Sequence, residues 1–514
     1  MEESQVGLTL SPLEDHLAAP RGRGRLADAP HFGTAGGAAC GDSIRIAVAV
    51  EGEAVADAGF DASGCAAARA AASAAVELVR GEPLLAVATV TPSAIADSLG
   101  GLTPERRHAA ELAADALHGA IGRACGDGAP ALRANAARTL VAMSGGVDSA
   151  VAAELARRRG DEVVAVTLEL WSDPENDGSR SCCSPQAVVG ARALAHRMGL
   201  PHVTLDLRQP FRQHVVDHFL AEHAAGATPN PCTRCNGLVR FDAMLDLAER
   251  LGAARLATGH YARIARDSAG PLILRAADPN KDQSYMLARL RPQDLERLDF
   301  PLGELRKPEV RELARAAGLP VADRPESQDL CFLAGTDGAH FLRRHGGPAL
   351  RRRTARRGEI VDLDGRVLGN HGGQHLFTIG QRRGLGVSGD APLYVVHKEP
   401  ERDRVVVGPR SALATRRVEV GAATLHRPGS GVDRVKLRYR SPAVGCRVEG
   451  DPPAGRHRRL GLAFDEPVEG VAPGQLACLM RGDAVVGFAT IRPAPPLARQ
   501  PSLVHRSEAV IAGR

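Results

Sequence analysis

Three stretches hold the residues whose types and spacing suit chemistry. The first is MSGGVDSAVAAELARRRG, Met143–Gly160. An apolar run, Thr139–Met143, leads into a turn of Ser, Gly and Asp. A helix marked by Val151, Leu155 and alanines follows, with Gly160 as its C-terminal stop. A strand, a small-residue turn and a helix N-terminus aim free N–H groups and the positive end of the helix dipole at one point. Phosphate is the usual occupant of such a point. The turn has no Gly-Lys-Ser/Thr, so it lacks the lysine with which a Walker loop clamps terminal phosphates.

The second stretch is TPNPCTRCNGLVRF, Thr228–Phe241, where Cys232 and Cys235 form a C-x-x-C. The Pro-rich lead-in places the pair on a loop, with Asn236 opening the next helix. A thiol near a helix N-terminus has a stabilised thiolate. Alone, the pair reads equally as a redox couple, half a metal site or coincidence. The third stretch is ESQDLCFLAG, Glu326–Gly335, with Cys331, and spacing does not pair it with the other two. Cys182 and Cys183 (SRSCCSPQ) precede a helix, either as thiols that serve the same chemistry as the other cysteines or as surface thiols without a role. Cys446 and Cys478 fall in β-like runs and read as small core residues.

The elements that must position these groups alternate from residue 138 onward. Strands are expected at Thr139–Met143, Glu162–Leu170, His202–Leu207 and Arg255–Thr258. Helices are expected at 149–159, 185–198, 211–224, 236–250 and 308–317. This pattern predicts a parallel sheet with helices on both faces. Past residue 345 short β-like runs (EIVDLDGRVLG, DRVVVG, DRVKLRYR) replace the helices and predict small β domains. Residues 43–118 carry strands at Ile44–Val50 and Ala54–Asp61 and Ala-rich helices. Residues 1 to about 30 read as flexible, GDGAP (Gly126–Pro130) as a linker, and the last residues as a tail.

With 514 residues the chain needs several cores. It is 44% hydrophobic and has a net charge of +5, and no apolar run is long enough to span a membrane. No secretory signal opens it, so a cytoplasmic location is expected. Ten cysteines in such a compartment point to reactive or metal-binding thiols rather than disulfides. Of the 65 basic residues four are Lys, and the arginines suit phosphate contacts.

The loop S-G-G-V-D-S resembles the PP-loop of ATP pyrophosphatases, which implies adenylation of a carbonyl oxygen. N-P-C-x-x-C-N follows in order, then A-T-G-H-Y (Ala257–Tyr261), K-D-Q-S-Y (Lys281–Tyr285) and S-Q-D-L-C-F (Ser327–Phe332). FTIGQRRGLG (Phe377–Gly386), YVV (Tyr394–Val396), RYR (Arg438–Arg440) and PGQ (Pro473–Gln475) come after. Together they resemble the tRNA-specific 2-thiouridylases, the MnmA type, over about residues 138–495. The resemblance implies a multidomain α/β protein: a PP-loop (adenine nucleotide alpha hydrolase-like) domain at 138–344, a central β-rich domain at 345–415, a C-terminal β-barrel at 416–497 and a tail at 498–514.

It also implies a reaction. ATP, with Mg2+, adenylates C2 of the wobble uridine of certain tRNAs. Sulfur then replaces AMP, giving 2-thiouridine. Cys235 is the implied nucleophile and Cys331 the persulfide carrier. The implied ATP contacts are Ala142, Met143, Ser144, Gly145, Gly146, Val147, Asp148, Ser149, Leu168 and Gly259. The implied tRNA contacts are Asn230, Pro231, Cys232, His260, Lys281, Asp282, Gln283, Arg438, Tyr439 and Gln475. Leu168 also reads as core, Lys281–Asp282 as a turn ion pair, and Arg438–Tyr439 as a solvated strand face. Where Cys232 stands many relatives have Asp. Cys232, Cys235 and Cys331 together therefore leave an iron–sulfur cluster as an alternative sulfur source. A cysteine desulfurase or sulfur carrier is the implied donor.

The front end, residues 1–125, resembles the iron–sulfur scaffold family of the IscU/NifU N-terminal type. HLAAPRGRGRL, AACGDS, ASGCAAA and LTPERRHAAELAADAL carry this resemblance, and residues 126–137 link it to the rest. Cys40, Asp42, Cys65 and His108 match the family's ligand pattern, and Ala109 replaces its last Cys. The front end is thereby expected to act as a sulfur relay through Cys40 or Cys65, as a cluster site, or as an inactive docking domain. Two other classes of function compete with thiolation. A PP-loop synthetase or amidotransferase needs neither the paired cysteines nor the β modules, and a pure scaffold does not need the thiolase body.

Overall fold

The computed structural model describes residues 10–37, 41–173, 175, 184–325, 330–348, 351–352 and 356–494. Cys40, Cys182, Cys183 and Ser327–Asp329 lie outside the described residues. The chain divides into two compact units. One comprises Met1–His218, Pro231–Gly338 and Gly482–Val486, and the other Phe219–Asn230, Ala339–Arg481 and Gly487–Arg514.

The first unit opens with α1 (Pro12–Ala18), which Ser11 and Glu14 start with a capping box. Strands β1 (Phe32–Gly36), β2 (Ser43–Glu51) and β3 (Ala54–Ser63) form an antiparallel sheet in the order 1-2-3. Helices α2 (Ala66–Val79), α3 (Leu84–Val87), α4 (Pro92–Ser98) and α5 (Arg107–Gly126) follow. Alanines fill the α2 and α5 faces that meet the sheet, and their small size lets helices and strands approach closely. The Arg/Gly segment, read as flexible, is in fact ordered from residue 10 on. Gly22 and Gly24 adopt positive φ, the Gly22 carbonyl accepts from Phe60 N, and Arg21 pairs with Asp15 and Glu77.

The same unit continues with β4 (Asn135–Ala142), α6 (Val147–Arg158), β5 (Glu162–Glu169), α7 (Pro185–Arg197) and β6 (His202–Asp206). Next in the chain are α8 (Arg208–Phe211), α9 (Asp217–Ala224), which passes into the second unit from Phe219 on, α10 (Pro231–Cys235) and α11 (Phe241–Arg250). Strands β7 (Ala253–Thr258), β8 (Ala262–Asp267), β9 (Gly270–Arg275) and β10 (Leu298–Asp299), with helix α12 (Lys307–Ala316), complete it. Strands 4, 5, 6, 7 and 10 form a parallel sheet in the order 10-7-4-5-6. The apolar runs of β4 and β5 are buried, as a parallel strand covered on both faces requires. The order changes direction between β4 and β7, where α/β sheets place their ligands.

The front domain does not hang free of this sheet. Helix α5 lies on edge strand β6, and the Gly122 position is pressed against the Thr204 carbonyl, 2.2 Å from where a Cβ would stand. The connecting residues are tied at both sides: Ala131 N donates to Gly52 O, Leu132 N to Arg250 O and Asn135 N to Gly252 O.

In the second unit, β11 (Gly358–Val361), β12 (Val367–His371), β13 (Tyr394–Glu399) and β14 (Arg404–Gly408) form a sheet ordered 12-11-14-13, preceded by α13 (Gly338–His345). Ile360, Phe377, Val395, Val405 and Val407 make its core. Strands β15 (Ala414–Leu425), β16 (Arg434–Lys436), β17 (Val444–Val448), β18 (Gly455–Glu469), β19 (Leu476–Arg481) and β20 (Ala484–Ile491) follow. Pairing of β15 with both β18 and β20 closes these six into a barrel. Cys446 and Cys478 are buried in it, as expected.

Gly122→Ala should cost about 1–3 kcal/mol by overpacking and lower the melting temperature. Gly126→Ala, on the same helix with no atom within 4 Å of the new methyl, should leave it unchanged or raise it. Equal melting temperatures for the two variants would contradict the close docking of α5 on β6.

Candidate active site

The loop Ser144–Ser149 joins β4 to α6. Gly145 takes a left-handed φ of 73°, and Gly146 is the N-cap without a side chain over the helix end. The Ser149 hydroxyl donates to Gly146 O at 3.0 Å and accepts from Ser144 N at 3.1 Å, so the loop is closed on itself. From the neighbouring strand, Gly259 meets the first turn of α6, and a Cβ there would lie 2.7 Å from Ser149 N. No side chain larger than hydrogen fits that crossing.

Three residues outside the motif complete the wall. Lys307, 8% exposed at the start of α12, reaches Asp148 Oδ1 at 2.6 Å. Tyr261, fully buried, donates to the same oxygen at 2.8 Å. Arg324 donates to Gly145 O at 3.1 Å. The Lys307 amide in turn donates to Asp278, whose carbonyl accepts from Lys281 N, so the Lys281–Gln283 turn is tied to the same wall. Sequence reasoning missed Lys307 and Arg324. Lys307 carried one signal, being a lysine in a chain that otherwise uses arginine.

The cysteine pair is on a helix, not on a loop. α10 begins at Pro231, whose fixed φ and missing N–H suit a first helical turn. It runs through a π turn, Asn236–Arg240, into α11. Cys232 and Cys235 therefore share a face. Cys235 is buried, Cys232 and Cys331 are half-buried, and all three are free of disulfides. Asn236 Nδ2 donates to Met286 O at 3.1 Å, fixing this helix against the turn that follows Lys281–Gln283. Next to Cys331, Phe332 packs edge-on against Phe211 and Trp171, at 6.0 and 6.5 Å between ring centres.

The other expected residues fall as follows. Leu168 is core of β5. His260 accepts or donates at Thr258 Oγ1, 2.8 Å, and burial beside Arg240 pushes its pKa down to about 3, so it is neutral. Asp282 is 4% exposed, accepts from Ser284 N, Ser284 Oγ and Ala276 N, and faces Arg275 Nε at 3.7 Å, so its carboxylate holds the turn to the end of β9. Gln283 pairs with the Tyr261 backbone. In the second unit Arg438 lies in a turn and donates to Ile379 O and Gly470 O, with the half-buried Tyr439 beside it. Gln475 Nε2 donates to Thr228 O at 2.5 Å, near Asn230.

In the front domain, Asp42, Cys65 and His108 bring their ligand atoms within 4.8 Å of one another, the one such group among the described residues. Gly64, with a φ of 111°, lets the Cys65 turn reach Asp42, where any Cβ would lie 2.0 Å from Oδ1. The Cys65 thiol donates to Asp42 Oδ2 at 3.1 Å. Partial burial and this carboxylate push the thiol's pKa up, so it is a poor nucleophile as it stands. His108 Nδ1 lies 2.8 Å from Glu105 O and must donate to it. A neutral ring then turns its Nε2 lone pair on Asp42 Oδ2, 3.0 Å away, and two acceptors face each other. A metal ion between the two acceptors would resolve this clash. One carboxylate, one thiol and one imidazole whose second nitrogen is held by a carbonyl suit a zinc-like ion, which would keep Cys65 as thiolate. Among the described residues Cys65 is the one thiol of this group, and Ala109 is buried where the family pattern has a further Cys.

Residues 137–335 match the tRNA methyl transferase HUP domain and residues 12–125 the NifU-like N terminal domain. Residues 349–409 match the tRNA methyl transferase PRC-barrel domain and 424–491 the aminomethyltransferase beta-barrel domain. The chain is 45% identical over 490 residues to the bifunctional protein NifU/MnmA of Rubrobacter xylanophilus, covering 92% of this chain and 96% of that one. The chain belongs to the bifunctional NifU/MnmA family. A tRNA-specific 2-thiouridylase MnmA of Rhizorhabdus wittichii is 46% identical over 364 residues, covering 70% of this chain and 93% of that one. Another from Acidithiobacillus ferrooxidans is 44% identical over 354 residues, 68% of this chain and 97% of its own. The NifU/MnmA organisation thus runs the length of the chain, with the NifU-like part in front and the PP-loop part behind it. No helix among the described residues is long and apolar enough to cross a membrane.

Two outcomes are expected of this site. Lys307→Ala should cut ATP-dependent pyrophosphate release about 10²-fold, the scale for losing one preorganised charged donor, and Lys307→Arg should recover part of it. Protein stripped of metal should take up one zinc ion per chain, and Asp42→Ala or Cys65→Ser should weaken that uptake at least tenfold. Uptake unchanged in both variants would place the ion elsewhere.

Proposed function

We propose that this chain is an ATP-dependent tRNA 2-thiouridylase that converts the wobble uridine to 2-thiouridine, AMP and pyrophosphate. The observation that carries this reading is the joining, in one compact unit, of a bare phosphate loop and a helix bearing Cys232 and Cys235, with Cys331 on a further segment. The thiouridylase relatives that match this region support it.

The loop backbone and Lys307 hold the phosphates of ATP with their Mg2+. The uridine O2 attacks the α-phosphorus, and pyrophosphate leaves. C2 now bears a phosphate leaving group in place of a carbonyl oxygen. The terminal sulfur of a Cys331 persulfide attacks C2 and expels AMP. The Cys235 thiolate then attacks Cys331 Sγ, which forms a Cys235–Cys331 disulfide and leaves the outer sulfur on the base. A dithiol reductant restores both thiols, and a cysteine desulfurase or sulfur carrier reloads Cys331. Asn230, Pro231, His260, Lys281, Gln283, Arg438, Tyr439 and Gln475 remain the proposed tRNA contacts, whereas Asp282 acts by shaping its turn. ATP and tRNA as substrates imply work in the cytoplasm.

Cys232 supports a second reading, in which it joins Cys235 and Cys331 around a cluster, since Cys232 and Cys235 share a helix face. Cys235→Ser and Cys331→Ser should each abolish 2-thiouridine formation while pyrophosphate release with tRNA persists. Cys232→Ser separates the two sulfur sources. Retained thiolation, with no iron in anaerobically purified protein, supports the persulfide, and joint loss of iron and activity supports the cluster. Mass analysis of tRNA from a deletion strain that still contains 2-thiouridine would contradict the function itself.

A further inference from the structure

A group of buried and half-buried histidines unused by this reading sits where the front domain meets the parallel sheet. His118 of α5, His196 of α7 and His202 of β6 meet there, the first two rings tilted at 5.2 Å between centres and the last two edge-on at 6.4 Å. His118 is 2% exposed and His202 fully buried. The Ala88 carbonyl, at the end of α3, accepts from both His196 Nε2 and His202 N at 3.0 Å. His118 Nε2 lies 2.8 Å from Val90 O and donates to it. Arg192 of α7 and Asp115 of α5 pair across the same contact. α3 brings no titratable group, and β5 brings Thr167.

The proton positions follow from the acceptors. The Thr167 hydroxyl has one hydrogen, and Met143 O, 2.8 Å away, can only accept it. His202 Nε2, 2.8 Å from the same hydroxyl, must therefore donate. His118 Nδ1 and His202 Nδ1 are left as buried lone pairs without a partner. A chain of contacts thus runs from the front domain through His202 and Thr167 to Met143, the residue before Ser144. Met143 is pinned on its other side by its N–H to Val166 O at 2.8 Å.

We propose that the His118–His196–His202 cluster is an uncharged latch between the front domain and the sheet, and that His202 is a positioning residue for the phosphate loop. The front domain then supports ATP binding by holding β6, whether or not it handles sulfur. This rests on reading Ser144–Ser149 as the phosphate loop.

The latch has a pH sign. Burial first, with Arg192 adding repulsion, holds all three imidazoles below their ordinary pKa. Undocked rings would regain a pKa near 6.5 and bind protons that docked rings refuse. Docking is therefore fully favoured above about pH 6.5 and weakens as pH falls below it.

The test is ATP affinity by equilibrium dialysis on the full chain, beside hydrogen exchange of β6 corrected for intrinsic rates. His202→Ala should weaken ATP binding about tenfold. His202→Gln, which keeps an N–H where Nε2 was, should restore most of it. Asp115→Arg, which sets like charges face to face, should raise β6 exchange and weaken ATP binding together. In wild type both quantities should change together between pH 7.5 and 5.5, which serves if Asp115→Arg does not fold. ATP binding unaltered in His202→Ala, or faster β6 exchange with unchanged ATP affinity, would overturn the proposal. A wild type that thiolates tRNA while His202→Ala binds ATP normally refutes this inference alone. One that binds ATP with the predicted His202 dependence but never thiolates refutes the function alone.

Discussion

Asp148 is the interaction on which the rest is built. It is a carboxylate in the first turn of α6, at the positive end of the helix dipole, yet that end must stay open to the phosphate proposed to bind there. Lys307 and Tyr261 resolve the conflict by drawing the carboxylate to one side. Each brings its own element: Lys307 fixes the start of α12, and Tyr261 fixes the end of β7 with the Lys281–Gln283 turn bonded to it. Gly259 lets β7 come close enough for this, and Asn236 ties the cysteine helix to the same turn through Met286. Losing the Lys307 charge would leave Asp148 with the Tyr261 hydroxyl as its partner and no cation paired with it.

Charge divides along the chain as the proposed partners require. Residues 1–125 carry nine basic and sixteen acidic residues, and the remainder carries 56 and 44. The front domain repels a polyanion, and the PP-loop and β domains attract one. A front domain of this sign suits contact with protein and metal rather than with tRNA. The packing of α5 on β6 joins that surface to the sheet that carries the proposed phosphate loop.

Much of this was legible in the residues themselves. The alternation after residue 138 showed the parallel sheet, because buried parallel strands must be apolar throughout. The S-G-G-V-D-S turn showed its strand–turn–helix geometry, because only small residues leave the helix end bare. Three things were hidden. The cysteines were read as loop residues because prolines usually end elements, whereas Pro231 begins one. The Arg/Gly segment looked flexible because its contacts, Arg21 to Glu77 and Gly22 to Phe60, are with residues far along the chain. Lys307 lies 159 positions from Asp148, and no local pattern announces such a pair.

The central claim is that uridine O2 becomes the leaving oxygen of AMP before sulfur arrives. It is tested most directly with tRNA carrying heavy oxygen at C2 of the target uridine, incubated with ATP, desulfurase and cysteine. The account predicts that AMP recovered from the reaction carries the heavy oxygen in its phosphate, in equal amount to the 2-thiouridine formed. Thiouridine accompanied by unlabelled AMP, with the heavy oxygen released to water, would contradict it.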